Sequence, residues 1–503
     1  MGKTDSNEKN GKQQLKKVFL VIGAVVILLL VLGFYWFLNS IWPGKNGSKG
    51  KAEQTLQTIQ TTPEGTTPQT TPEGAELTPG GAAEGTTPGD MAEGTTQEGA
   101  SPGAENPSGN TDNKSFERQE LLGQAERLAL GYDYEGALSL IKSYGEEAGA
   151  YKQYAELSEA YERLEEEKET LVLYGGAYTS ITQINHIFFH SLVADNSKAF
   201  DGDRRSRGYN MYMTTIPEFN RIIDKMYRDG YVLVKMADLV KKETLEDGTT
   251  RYVENPIYLR QGKKPFILSQ DDVNYYSYMD GDGFATRIVI GGDGKPACEM
   301  LQEDGTTTTG AFDIVPILDA FIEEHPDFSY KGAKGLLALT GYEGILGYRT
   351  NDETSPTYEK DKEDVMEVVK VLKEEGWEFA SHSWGHKDMY AISYELLKRD
   401  TDRWLKEVAP LIGGTDILVF PFGIDIEKTV GSYGSDKYKY LKEQGFDVFV
   451  GVYKEPWMQI KKDYVRMTRR PLDGQAMLQF PERLEDLFDV KDILDPERPP
   501  RDW

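Results

Sequence analysis

Residues 171 to 503 predict an α/β fold, and three observations carry that prediction. Ile187, Phe188 and Phe189 form a short apolar run ending at His190. Phe219, Ile222, Ile223 and Met226 recur at helical spacing before Gly230, which opens the strand-like run Tyr231 to Val234. The same order of helix, glycine and strand returns where Val365, Val368, Val369 and Leu372 precede Gly376 and the run leading to His382. Short apolar runs alternating with 3.6-residue periodicity are the pattern of strands and helices packed in layers. Residues 280 to 345 interrupt the series: Ile288 to Met300, turning at Asp293-Gly294, reads as a hairpin within an insertion.

The chain before residue 171 divides by composition. Val18 to Leu38 holds no charged side chain, and its 21 residues, at ~1.5 Å rise each, span roughly the ~30 Å hydrocarbon core. A transmembrane anchor is expected there rather than a cleaved signal peptide, because the run exceeds a usual apolar h-region and no small-x-small site follows it. Lys3, Lys9, Lys12, Lys16 and Lys17 precede it, against Lys45, Lys49 and Lys51 after it. Residues 1–17 are therefore expected in the cytoplasm, with a single pass at 18–38 and the remainder outside the cell membrane. Residues 39–114 are rich in Thr, Pro, Glu and Gly, with near-repeats such as Thr61-Thr62-Pro63-Glu64-Gly65 and Glu84-Gly85-Thr86-Thr87-Pro88. Such a stretch buries too little apolar surface to offset its ordering entropy, and a disordered tether is expected. Across 115–170, Leu121, Ala125 and Leu128, then Tyr134, Ala137, Leu138 and Ile141, then Tyr151, Leu157, Tyr161 and Leu164 recur at helical spacing. They predict three short amphipathic helices, a spacer that resembles a tetratricopeptide unit but has too few repeats to form a groove.

Charge and cysteine content narrow the function classes. With 83 Asp and Glu against 57 Lys and Arg, the net charge of -26 argues against a nucleic-acid partner, whose backbone requires a basic surface. The single cysteine, Cys298, permits no intrachain disulfide, so the exported part depends on its core alone.

Two short stretches stand at the ends of strand-like runs. Lys264 to Leu268 leads into Ser269-Gln270-Asp271-Asp272, and Trp377 to Ala380 into Ser381-His382-Ser383-Trp384-Gly385-His386. Strand ends facing a common cleft are where α/β enzymes place chemistry. Asp272, His382 and His386 make one carboxylate and two imidazoles, a set that suits Zn²⁺ or a similar divalent metal and leaves positions open for water and substrate. Such an ion acidifies its water, and Asp271 beside the ligand is the candidate general base. Successive strand side chains point to opposite faces, so both aspartates reach one site only where the strand gives way to a loop.

In order and context these motifs resemble those of the polysaccharide deacetylases with a NodB-homology domain, carbohydrate esterase family 4. Ser269-Gln270-Asp271-Asp272-Val273 stands for that family's Thr-Phe-Asp-Asp-Gly, and Gly376 to His386 for its glycine-led stretch ending in His-Ser/Thr-x-x-His. Phe420-Pro421-Phe422-Gly423 matches its Pro-Tyr/Phe-Gly stretch, and Tyr440 to Phe446 its next junction of helix, glycine and strand. The resemblance covers residues 180 to 475 and implies a deformed (β/α) barrel. It also implies Asp271 as base, Asp272, His382 and His386 as ligands of a divalent metal, Zn²⁺ foremost, and a backbone N–H near Phe422 at the oxyanion. The implied reaction is hydrolysis of acetamido groups on an N-acetylglucosamine polymer, peptidoglycan or an exopolysaccharide, releasing acetate.

Three departures from the family pattern bear on these roles. Val419 stands where many members have an Arg that orients the base, which leaves Arg469 or Arg470 as substitutes. No histidine follows His386, where the usual Leu-x-His motif supplies the general acid. A branch resembling the poly-β-1,6-N-acetylglucosamine deacetylases ends its first strand in Tyr-His, similar to Phe189-His190 here, which makes His190 the candidate acid; a core histidine is the other assignment. His186 and His325 read as structural or surface residues. Gln270 and Val273, in place of Phe and Gly, keep open a carbohydrate-binding module without turnover, and a wall-peptide amidase is a third class. Trp384, Tyr275, Tyr276 and Trp457 as stacking platforms favour sugar over peptide, although Tyr275 and Tyr276 suit a core equally.

Overall fold

The structure, a computed structural model, describes residues 108–174, 181–427 and 431–503. The cytoplasmic tail, the Val18–Leu38 anchor and nearly all of the 39–114 tether lie outside the described residues, among which no helix is long and apolar enough to cross a membrane.

Three helices form the spacer: α1 (Ser108–Leu130), α2 (Tyr134–Lys142) and α3 (Ala155–Glu169). α1 begins inside the stretch expected to be tether. Ala125, Ala129, Ala137, Ile141, Leu157 and Leu164 are buried among them, the stripe that helical spacing predicts. The spacer is joined to the rest of the fold through Arg260. This side chain donates to Ala129 O at 2.9 Å and Leu130 O at 3.0 Å, placing a cation on the last carbonyls of α1, where the helix dipole favours it.

Seven parallel strands close into a barrel: β1 (Asn185–Phe189), β2 (Lys264–Gln270), β3 (Leu336–Leu339), β4 (Glu378–Ser381), β5 (Ile417–Val419), β6 (Val448–Val452) and β7 (Val465–Pro471). Their ring order is β3-β4-β5-β6-β7-β1-β2, and β2 pairs with β3 to close it. Closure is thin, because only Ser269 and Gln270 of β2 meet β3, at Leu336 and Leu337. The rest of that edge of β2 pairs with Tyr231–Leu233, a side strand that deforms the barrel. Around it lie α4 (Ile216–Arg228), α5 (Ile314–Glu324), α6 (Tyr358–Glu374), α7 (Tyr394–Glu407) and α8 (Asp436–Glu443).

Alternation along each strand sorts side chains into two layers. Ile267, Ala338, Ala380, Val419, Val450 and Met467 fall in one cluster, the barrel interior. Phe189, Leu268, Leu337, Phe379, Leu418 and Phe449 fall in another, against the helices. Carried on toward the carboxyl ends, the interior series brings in Ser269 on β2 and Asp271 just after it, His382 after β4 and Arg469 on β7. Arg470, one place on, turns outward and pairs with Asp486 at 2.6 Å.

The expected insertion at 280–345 is shorter than the sequence suggested. A three-stranded antiparallel sheet, Arg287–Ile290, Pro296–Leu301 and Thr307–Gly310, occupies its first half and contains the expected hairpin. α5 and β3 occupy the second half and belong to the barrel. Leu336–Leu339 is buried at every position, so its four residues carry no alternation to mark them as a strand.

Glu378 sits on the interior series at the amino end of β4. Burial pushes its carboxyl up to about 7, with Lys235 opposing and Asp238 reinforcing. The folded protein holds this proton more tightly than the unfolded chain, so the contribution to stability is full below the ordinary value of 4.5 and is lost as pH rises to about 7. Glu378→Gln is expected to remove that decline, about 3 kcal/mol at most. Urea denaturation of parent and variant at about pH 5 and about pH 8 measures it, and an equal decline in the variant contradicts the assignment.

Candidate metal centre

Three loops at the carboxyl ends of the strands carry the site, and each bends through left-handed backbone. β2 ends at Gln270, and Asp272 takes φ of 56°, which swings its carboxylate to the side Asp271 already faces. The sequence required a strand-to-loop change at this dipeptide, and the structure has it. Ser383 and His386 have φ of 61° and 47°, and Phe422 has 58°. Left-handed conformations at non-glycine residues cost of order 1–3 kcal/mol each and persist where surrounding contacts fix them.

His382 Nδ1 lies 2.9 Å from Val419 O. A carbonyl only accepts, so Nδ1 carries the proton and Nε2 keeps its lone pair for the cluster. His386 Nε2 lies 3.8 Å from Asp272 Oδ2, and the two imidazole rings are 4.8 Å apart. Burial lowers His386 to about 4, so its imidazole is neutral near pH 7, as a metal ligand must be. Tyr276 OH donates to Asp272 Oδ1 at 2.8 Å and is itself 3.0 Å from Thr340 Oγ1, which fixes the carboxylate while leaving Oδ2 toward His386. One ligand atom from each of Asp272, His382 and His386 lies within 4.8 Å of the others. Donor chemistry, protonation and separation fit a divalent ion of the zinc type, whose bonds of ~2.0–2.2 Å require a modest contraction of the set.

Asp271 stands beside this set, its Oδ2 3.9 Å from His382 Nε2. Arg469 donates to both of its oxygens, at 2.6 and 2.8 Å, and to Ser269 Oγ at 2.9 Å. Burial works against ionisation of Asp271, but the guanidinium overrides it and holds the carboxyl well below the usual range. The carboxylate is thus ionised and fixed in plane by a bidentate partner. Sequence reasoning left Arg469 and Arg470 open. The inward alternation of Val465 and Met467 on β7 separates them, once register is known.

His190 follows β1, and its Nδ1 lies 3.1 Å from Tyr212 O. That carbonyl takes the Nδ1 proton, leaving Nε2 as the atom that gains or gives one. β1 pairs with β2 as far as Phe189 opposite Gln270, so the half-buried ring stands at the strand end beside which Asp271 and Asp272 follow. Phe422 keeps its ring 4.5 Å from His386 and 36% exposed. Its N–H donates to no described protein group, whereas Gly423 and Ile424 donate back to Phe420 and Pro421.

The structure separates the aromatic candidates. Tyr275 is buried and donates to Asp313 Oδ2 at 2.8 Å, so its ring offers no face to a ligand. Tyr276 is buried too and serves Asp272. Trp384 is held by helix α7: Nε1 donates to Glu407 at 2.7 Å and Arg403 lies 3.4 Å over its ring. Trp457 lies beside Arg466, 5.4 Å from the guanidinium. Besides Phe422, Tyr278 offers an exposed ring, 42% exposed and stacked 5.7 Å from Tyr276, the tyrosine that donates to Asp272. His186 is buried against Ser269, and His325 packs between Tyr227 and Phe321.

No protein-family model and no curated protein matches the chain. Among solved structures, the Streptococcus pyogenes deacetylase PplD in complex with acetate is similar at 10% identity and TM-score 0.33, over 61% of this chain and 98% of its own. A Mycobacterium smegmatis protein assigned as a polysaccharide deacetylase is similar at 14% identity and TM-score 0.20, over 31% of this chain and 44% of its own. Both likenesses are weak, and the chemistry of the site rests on the atoms described above.

Removing Arg469 leaves a buried, uncompensated carboxylate. Arg469→Met is expected to destabilise the metal-free protein by about 3–5 kcal/mol, and Asp271→Asn in the same chain to restore much of that loss. A double-mutant cycle by urea denaturation reads the coupling directly, and additive effects would refute the pairing.

Proposed function

We propose that this chain is a metal-dependent hydrolase that removes N-acetyl groups from an N-acetylglucosamine-containing polysaccharide. One observation carries the proposal: an ionised carboxylate, Asp271, locked by Arg469, stands beside a convergent Asp272, His382 and His386 donor set, with His190 at the neighbouring strand end. Asp272, His382 and His386 would hold a divalent ion, which would supply Lewis acidity and lower the pKa of a water molecule. Asp271 accepts a proton from the attacking water, its orientation set by Arg469. The Phe422 N–H, on a left-handed turn beside His386, donates to the oxygen that becomes negative as the amide carbon turns tetrahedral. His190 Nε2 delivers the proton that the departing amine needs, with Nδ1 anchored on Tyr212 O. The C–N bond breaks, acetate leaves and the sugar keeps a free amine.

The exposed ring of Tyr278 supplies the stacking face for a sugar that Tyr275 and Tyr276 do not. The apolar Val18–Leu38 stretch supports a surface location, with the barrel outside the cell membrane.

Acetate release by zinc-loaded full-length protein from peptidoglycan and from β-1,4 and β-1,6 N-acetylglucosamine oligomers tests the proposal. Asp271→Asn and His190→Ala are each expected to lower kcat by about 10²- to 10⁴-fold. Release that is absent in the parent, or unaffected in both variants, refutes it.

A further inference from the structure

Helix α7 grips the loop that joins the two histidine ligands. Asp400, Arg403 and Glu407 lie at i, i+3 and i+7 on one face of it. Asp400 is buried, and its two oxygens accept from successive backbone amides, Trp384 N–H at 2.8 Å and Gly385 N–H at 2.9 Å. Glu407 takes the Trp384 indole N–H, and Arg403, paired with Glu407 at 2.8 Å, covers the ring. From the other side, Gly341 and Tyr342 N–H donate to Trp384 O at 2.9 and 3.1 Å. A Cβ at Gly341 would fall 2.4 Å from the indole, so a glycine is needed where the ring is clamped.

We infer that Asp400 is a positioning residue for the metal centre, and that Trp384 is the anchor by which α7 fixes the left-handed turn between His382 and His386. This rests on the metal-centre assignment made above. Both amides converge on one carboxylate, one per oxygen, so the loop has a single low-energy arrangement while Asp400 is ionised. Asparagine cannot replace it, since its NH₂ would face one of the amides. Without the clamp, Ser383 and His386 relax from φ of 61° and 47° and the two imidazole nitrogens separate. Partners of this kind around metal ligands typically alter affinity by about 10–100-fold.

Two measurements on the full-length protein test the clamp. The first is the Zn²⁺ dissociation constant, by competition with a chromophoric chelator, for the parent, Asp400→Asn, Asp400→Ala and Arg399→Gln, the last an exposed position on the same helix. The second is hydrogen exchange at Trp384 and Gly385 in the metal-free protein. Asp400→Asn is expected to weaken zinc about 10–100-fold and to speed exchange of both amides at least about tenfold, with the metal-free variant still folded though less stable and Arg399→Gln unchanged. Zinc restored to saturation is expected to return most of the lost turnover. Parent-like zinc affinity in Asp400→Asn, or unchanged exchange, overturns the inference. If Asp400→Ala fails to fold, the near-isosteric Asp400→Asn decides. A parent that binds no zinc defeats the metal centre instead, and the exchange rates still decide the clamp.

Discussion

The buried pair between Asp271 and Arg469 constrains everything at the open end of the barrel. Taking a carboxylate and a guanidinium out of water costs several kcal/mol per ion, and only good geometry offsets it. Here Arg469 is fully buried and meets both oxygens of Asp271, with Ser269 Oγ taking a further N–H and the Phe188 ring 4.2 Å beneath the guanidinium. The partners come from β2 and β7, which are not neighbours; β1 lies between them in the ring. The pair therefore bridges over β1 and ties the strand ends together. His186, hydrogen bonded to Ser269 at 2.9 Å, extends the polar chain into the barrel interior.

That constraint separates the tasks of two adjacent aspartates. Asp271 spends both oxygens on a guanidinium, which keeps it ionised and in plane. Asp272, turned by its left-handed backbone, meets a tyrosine hydroxyl on one oxygen and an imidazole on the other. Identical side chains one residue apart acquire the environments of a base and of a metal ligand, the division by surroundings that lets carboxylates play unlike roles in one site. The ligand loop is held in the same way from outside, by α7.

The local chemistry was legible in the sequence and the long-range pairings were not. Adjacent aspartates and the His382/His386 spacing stood out because strand-like runs lead into them, and the structure brings those residues together. Arg469 was only one of two options, since the choice between it and Arg470 depends on which face of β7 turns inward, a matter of register with β6 and β1. β3 was absorbed into an expected insertion because four uniformly buried residues show no period. Tyr275, Tyr276 and Trp384 suggested sugar platforms from their chemistry alone. Their actual partners, Asp313, Asp272 and Glu407, are fixed by packing that single-residue chemistry does not reveal. Exposure of Tyr278 is equally a product of the fold.

On the proposed reading, Asp272, His382 and His386 bind one divalent ion. Anomalous diffraction at the zinc edge from crystals of the zinc-loaded protein tests it most directly. One peak is expected, bounded by His382 Nε2, His386 Nε2 and Asp272 Oδ2 at ~2.0–2.2 Å, with Asp271 still on Arg469 and not a ligand. No peak there, or an ion ligated by Asp271 with Arg469 displaced, would contradict it.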